Sequence, residues 1–109
     1  MKKRWIIFFI LLLLCTQACV TGSSLLYDES KEWFKIGKSS LDAGVYKEAI
    51  AAFDYAIEDN PQYADAYYYR GIAYGFIGND DQAIIDMKVA ARLDFKTAQD
   101  YLRRKRIEW

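Results

Sequence analysis

Few side chains in this sequence suit acid–base, nucleophilic or metal-assisted catalysis. The 109 residues include no histidine, and histidine is the usual general base and the commonest metal ligand in proteins. The two cysteines, Cys15 and Cys19, stand close together near the N-terminus. A cysteine becomes a nucleophile when a neighbouring base activates it, so the lack of histidine leaves no nucleophile–base pair to propose.

The acidic residues do not indicate an enzyme either. Asp80 and Asp81 are adjacent at the expected start of a helix, where negative charge is favourable because the helix dipole is positive there. Glu58 and Asp59 are adjacent near an expected helix end and should face solvent. The glycines fit no phosphate-binding loop, and no residues have the spacing of a metal site. The sequence therefore predicts a protein that is not an enzyme and that uses no cofactor and no metal.

Covalent processing near the N-terminus is the chemistry that the sequence does suggest. Three basic residues at positions 2–4 precede an unbroken apolar run over residues 5–14, and small or polar residues follow up to Ala18. This layout predicts a secretory signal peptide over residues 1–18. Ten apolar residues are too few to span a bilayer, which takes about 20.

Cys19 directly follows Ala18, and this junction resembles the lipobox of bacterial lipoproteins. The resemblance implies cleavage before Cys19, lipidation of its thiol and membrane attachment in the cell envelope. The sequence departs from the family at Thr16 and Gln17, where a leucine and a small residue are preferred. An aspartate directly after the cysteine would resemble a signal for retention in the inner membrane. Val20 occupies that position instead, which makes the outer membrane the default. The alternative is ordinary secretion with a soluble periplasmic or secreted product.

The chain after the signal peptide begins with a short tether and has little net charge. Residues 19–29 comprise the cysteine and a stretch rich in small polar residues, which is typical of a flexible linker. From Cys19 onward there are 12 basic and 15 acidic residues. The resulting charge of −3 points to no particular class of partner.

Two stretches of the sequence repeat one another at a fixed offset. Gly37 recurs as Gly71, and Gly44 recurs as Gly78. A constant period of this length indicates a repeat protein in which each unit is one supersecondary element. The same offset relates Ala49 to Ala83, Ala56 to Ala90, and the aromatic residues Trp33, Tyr67 and Tyr101. Residues related by this offset are called equivalent below.

Apolar residues at helical spacing predict five helices joined by short turns, with each helix antiparallel to the next. Gly44 and Gly78 are expected to end the first and third helices with positive φ. Asn79 is expected to cap the fourth helix together with Gln82, and Thr97 is the candidate cap of the fifth. The five expected helices begin near Ser30, Tyr46, Ala64, Asn79 and Thr97.

This pattern resembles the tetratricopeptide repeat, a helix–turn–helix unit of about 34 residues. The resemblance rests on Trp33, Ile36, Gly37, Gly44, Tyr46, Ala49, Phe53, Ala56 and Pro61, and then on Tyr67, Gly71, Tyr74, Gly78, Ala83 and Ala90. It implies an all-α fold, a short α-solenoid with two repeats over residues 30–63 and 64–97 and a C-terminal capping helix over residues 98–109. Stacking should bury Trp33, Ile36, Phe53, Tyr67, Tyr74 and Met87 in one continuous core.

In this family the first helix of each repeat lines a groove that holds peptides. In this sequence the corresponding residues lie along one side of the first helix of each repeat and of the capping helix. They predict a peptide-binding groove of apolar residues flanked by basic ones. The alternative is that these apolar residues pack between helices. The candidate groove residues are Phe34, Lys35, Lys38, Leu41, Tyr68, Ile72, Leu102 and Arg106.

The sequence therefore predicts an exported interaction module that binds a protein or peptide partner in the bacterial envelope. The alternative is a structural accessory protein that self-associates through an incomplete repeat stack, without a peptide ligand. The basic run at residues 103–106 suits anionic lipid near a membrane. Nucleic acid is not expected as a partner, because an exported protein seldom meets it.

Overall fold

The computed structural model describes residues 28–109, and the five predicted helices all lie in this range. Between residues 28 and 109 the chain forms helices and turns without a strand, which confirms the all-α prediction. The predicted signal peptide and Cys19 lie outside the described residues. The helices are α1 (Glu29–Asp42), α2 (Tyr46–Asp59), α3 (Ala64–Phe76), α4 (Asp80–Arg92) and α5 (Lys96–Lys105).

Each helix packs against the next one in the chain, and the contacts are most extensive within the pairs α1–α2 and α3–α4. A glycine at the same place in each pair permits this approach. A Cβ atom added to Gly37 would lie 2.5 Å from Cε1 of Phe53, and one added to Gly71 would lie 3.1 Å from the carbonyl oxygen of Ala83. The recurrence of these glycines is therefore a steric requirement of helix pairing.

The turns that close α1 and α3 also require glycine. Gly44 and Gly78 have φ angles of 77° and 81°, as the sequence predicts. After α1, the backbone N–H groups of Gly44 and Val45 donate to the carbonyl oxygens of Leu41 and Ser40 at 3.0 and 2.9 Å. This Schellman arrangement satisfies carbonyl groups that a helix end leaves without partners.

The start of α4 agrees with the prediction and the start of α5 does not. The Asn79 side chain accepts a hydrogen bond from the Gln82 backbone N–H at 3.3 Å, which confirms Asn79 as the cap. In α5 the cap position belongs to Phe95, so the prediction of Thr97 as cap was wrong. The turn completes earlier because Asp94 adopts a left-handed conformation with φ of 63°. The helix thus starts at Lys96, ahead of the predicted boundary at residue 98.

The buried apolar residues form two clusters instead of the single continuous core that the sequence predicted. The first surrounds Phe53, which is completely buried between α1, α2 and α3. The second surrounds Leu102, which is completely buried where α5 meets α3 and α4. Alanines fill most remaining buried positions, with Ala49, Ala56, Ala66 and Ala73 in the first cluster and Ala90, Ala91 and Ala98 in the second.

The residues that the sequence placed in the core differ in how far they are buried. Phe53 and Met87 are buried, whereas Trp33, Tyr67 and Tyr74 are half-buried. The prediction for one further residue, Ile36, was wrong. Its side chain is 48% exposed, because no helix among the described residues covers α1 on that side.

Arg70 connects three helices. Its guanidinium on α3 donates two hydrogen bonds of 2.8 Å to the carboxylate of Asp86 on α4, and a third of 2.6 Å to Asp54 on α2. The Asp86 side chain is 1% exposed. Burial lowers the pKa of Arg70, but the hydrogen bonds and charges of Asp86 and Asp54 outweigh it and hold that pKa above its usual range. Arg70, which stands where the first repeat has Ile36, is therefore fully paired.

The glycine contact can be tested by comparing two Gly→Ala substitutions. Gly37→Ala should lower the free energy of unfolding, because overpacking costs about 1–3 kcal/mol and exceeds the helix-propensity gain of about 1 kcal/mol. Gly75→Ala is the matched control, because its Cβ meets no atom within 4 Å. It should leave stability unchanged or higher. Urea unfolding followed by circular dichroism measures both, and equal effects would show that Gly37 is not a close-contact position.

The ion pair can be tested by converting it to the pair that the first repeat carries. Asp86→Ala leaves the guanidinium of Arg70, whose side chain is 16% exposed, without its main partner and should cost about 3 kcal/mol. Arg70→Ile combined with Asp86→Ala reproduces Ile36 and Ala52, their equivalents in the first repeat, and should recover most of the loss. Thermal and urea unfolding give the comparison.

Asp54→Ala serves as a control for this test. Because the Asp54 side chain is 51% exposed, its removal should cost less than about 1 kcal/mol. A double variant as unstable as Asp86→Ala alone would contradict the assigned role of the pair.

Candidate peptide-binding cleft

Phe34, the first residue of the predicted groove, lies among other aromatic rings. Its ring centroid is 5.0 Å from that of Tyr63, 5.7 Å from Tyr69 and 5.8 Å from Phe53. The side chain is half-buried and joins α1 to α2 and α3. Most of its surface is therefore engaged in packing between helices.

Tyr68 and Leu102 continue the predicted stripe and are also engaged between helices. The Tyr68 ring lies 5.2 Å from Tyr69 and 4.9 Å from Phe95. Burial, assisted by Tyr69, raises the pKa of the Tyr68 hydroxyl above its usual value. Leu102 is completely buried in the second cluster. Its assignment to an open groove was wrong, because α5 turns this residue toward α3 and α4.

The basic residues of the predicted groove do not converge on one point. Lys35 forms an ion pair of 2.8 Å with Glu32 on its own helix. The Lys38 ammonium lies 3.9 Å from the centre of the Tyr69 ring, a cation–π contact between α1 and α3. Arg106 is exposed at the opposite end of the helix row, with a φ of 58°. Leu41 is half-buried against the first cluster.

An open cleft of about 500 Å³ lies between α3, α4 and the C-terminal end of α5. Of the predicted groove residues, Ile72 lines it. Asp80 and Lys105 contribute opposite charges at the wall. The apolar part of the wall consists of Ile72, Phe76, Ile84, Met87, Tyr101 and Ile107.

The cleft is open because the second repeat has less bulk than the first at this place. Gly75 stands at the position equivalent to Leu41 of the first repeat, and space is open within 4 Å of its Cβ position. Met87 replaces Phe53 at the equivalent position of the second helix. Ala83 lines the cleft and is half-buried, whereas its equivalent Ala49 is completely buried.

The length of α5 also leaves the cleft uncovered. α5 has 10 residues, whereas α1 has 14 and α3 has 13. It ends at Lys105, the equivalent of Gly71, while α3 continues to Phe76. The missing turn would have covered the N-terminal half of α4, where Asp80 is exposed and Ile84 is only half-buried.

The apolar surface continues from the cleft toward the first repeat. Phe76 is 62% exposed and its ring stacks on Tyr46 with centroids 4.7 Å apart. Ile77 and Val45, in the two turns, are also exposed. Exposed apolar residues that adjoin a cleft are typical of a surface that binds another protein.

Sequence reasoning missed most of this site for a definite reason. The predicted groove followed first helices, whereas Asp80, Ile84 and Met87 belong to the second helix of a pair. The signal was nevertheless present in the substitution of Gly75 for Leu41 at the repeat offset. A position that loses its side chain in one repeat marks a place where packing is incomplete.

Metal-ligand clusters and membrane-spanning helices were both sought in the described part of the chain. In residues 28–109, histidine, cysteine, aspartate and glutamate side chains form no cluster of three or more that could hold a metal ion. The same region has no helix that is both long and apolar enough to cross a bilayer.

The comparison with protein families agrees with the helix arrangement. Residues 37–84 match the family model described as TPR repeat, a range from the first contact glycine in α1 to Ile84 at the cleft. The match supports a tetratricopeptide repeat protein, and such repeats generally serve as non-enzymatic scaffolds that bind other proteins. A search of curated proteins finds no match.

Proposed function

We propose that this protein is an exported interaction module that binds a segment of a protein partner in the bacterial envelope. The observation that carries the proposal is the open apolar cleft between α3, α4 and α5, within a chain that matches the TPR repeat over residues 37–84. The cleft residues, and not the stripe through Phe34 and Leu102, form the proposed binding site.

The cleft fits a short amphipathic helix that inserts two or three large apolar side chains. Its volume of about 500 Å³ lies within the range of about 300–1,000 Å³ that is typical of binding pockets. Each apolar side chain that becomes fully buried contributes about 1.5–3 kcal/mol. Asp80 and Lys105 at the wall would fix the direction of the segment through its polar residues.

Attachment to a membrane through Cys19 is the second part of the proposal. It is supported by the basic and apolar N-terminal sequence and by the Ala18–Cys19 junction. The tether from Cys19 to α1 would reach at most about 35 Å when extended. The anchor would therefore keep the cleft near the bilayer and restrict it to partners in the envelope.

The binding site can be tested by photo-crosslinking in cells followed by affinity measurement. A benzoylphenylalanine in place of Phe76 should crosslink to the partner, whereas one in place of Ile85, which is 52% exposed on α4, should not. The crosslinked segment is then made as a peptide, and its Kd for the purified full chain is measured by calorimetry.

Variants of the cleft decide whether that peptide occupies it. Gly75→Leu fills the cleft, and Ile84→Ala removes an apolar contact from its wall. Each should weaken binding roughly tenfold or more, while Ile85→Ala leaves the Kd unchanged. A peptide that binds the Gly75→Leu variant as tightly as the native chain would place the site elsewhere.

Membrane anchoring has its own test. Cys19→Ala should abolish incorporation of labelled palmitate and release the chain from the membrane fraction. Cys15→Ala is the control and should retain both properties. Labelling that persists in the Cys19 variant would exclude this residue as the lipidated one.

A further inference from the structure

The five helices pack in a row from α1 to α5. The end of this row that α1 and α2 form presents an apolar face with acidic borders. Ile36 and Tyr55 are 48% and 52% exposed, and the Trp33 and Tyr55 rings lie 4.6 Å apart. Glu29 and Glu32 border a shallow concavity of about 240 Å³ together with Trp33 and Ile36. These five residues are termed the head face.

The head face is where the repeat lacks a neighbour. Ile36 is the first-repeat equivalent of Arg70. Arg70 is covered because α2 lies beside α3 and supplies Asp54. Beside α1, residues 28–109 supply no helix in that place, so apolar side chains that would be interior in a longer stack face solvent.

The opposite end of the row is basic. Arg104 on α5 follows Arg70 by one full repeat offset, so the two arginines share one position in the repeat. Arg70 binds two carboxylates, whereas Arg104 is exposed and makes no ion pair within the described range. Together with Tyr101 and Arg103 on the same helix, it forms what is termed the tail face.

The net charge of the chain also differs between the two ends, with acidic residues in excess near the head face and basic residues in excess near the tail face. Residues 28–60 contain eight acidic and four basic residues, and residues 96–109 contain five basic and two acidic residues. The first region therefore carries −4 and the last carries +3. Two heads or two tails repel each other, whereas a head and a tail attract.

From these observations we propose that copies of this protein associate head to tail. The head face of one copy contacts the tail face of the next, so that Glu29 and Glu32 give Arg104 the carboxylate partners that Arg70 has within the chain. Ile36 and Trp33 then lose their solvent exposure against α5. Because the two surfaces differ, the contact is heterologous and can extend into a row of more than two copies.

The proposal is tested by reversing the charge of one face at a time. The full chain is purified in a nonionic detergent, and its mass is measured by sedimentation across a concentration series and a salt series. The native chain should form species larger than a dimer that dissociate as salt screens the charges. Glu29→Lys with Glu32→Lys, or Arg104→Glu, should each weaken association tenfold or more. Asp42→Lys, a single acid-to-lysine change at the other end of α1, should leave it unchanged.

Mixing the two charge-reversed chains gives the sharpest readout. One of them retains the native tail face and the other the native head face, and their two reversed faces are also opposite in charge. The mixture should therefore associate again and form rows in which the two variants alternate. A chain that carries all the reversals should associate again, because both faces have exchanged sign. A mixture that remains monomeric while the native chain associates would overturn the head-to-tail arrangement.

Two other occupants of these faces would also appear in these measurements. If residues 1–27 of the same chain cover the head face, the native chain remains monomeric at every concentration, and the proposal fails. If the tail face instead binds lipid, Arg104→Glu abolishes binding to vesicles that contain anionic phosphatidylglycerol without changing the mass. That result would overturn self-association in favour of a membrane contact.

Discussion

The ion pair between Arg70 and Asp86 determines how the two repeats are joined. Asp86 is almost completely buried, and removing such a carboxylate from water is unfavourable unless its oxygens are hydrogen-bonded. Arg70 satisfies both of them and extends a third bond to Asp54 on the preceding helix pair. Because the guanidinium is planar and its donors are fixed in direction, α2, α3 and α4 are held at one relative position. The placement of α4, and of the cleft beside it, depends on this geometry.

The first repeat solves the same packing problem with apolar residues. Its equivalents of Arg70 and Asp86 are Ile36 and Ala52, and Phe53 fills the space against Gly37. An apolar pair contributes stability without directional requirements, whereas a bidentate ion pair contributes register more than net stability. The chain thus uses close apolar packing within the first repeat and a directional polar contact at the junction between repeats.

Both proposed interaction surfaces arise where the repeat pattern is interrupted. The cleft exists because Gly75 and a shortened α5 leave the second repeat incompletely covered. The head face exists because α1 has no described neighbour on one side, and the tail face because the arginine position recurs in α5 without its carboxylates. In a repeat protein each unit buries its surface against its neighbours, so every departure from the period exposes residues that elsewhere are interior. Binding sites are therefore expected at the positions where the sequence departs from the repeat period. The positions that follow the period maintain the helix packing.

The sequence by itself determined the five helices, their pairing and the places where they touch. These follow from local rules, since Gly37 and Gly71 recur where helices must approach, Gly44 and Gly78 recur where φ must be positive, and apolar spacing reports helical faces. Only the tertiary structure decided which side of each helix was covered. Helical spacing placed Ile36 in the core and Leu102 on the open groove, yet Leu102 is buried and Ile36 is half exposed. The partners of Arg70 lie 16 residues away in both directions, and the cleft depends on how far α5 extends over α4. Such features depend on contacts between distant segments, which periodicity along the chain does not encode.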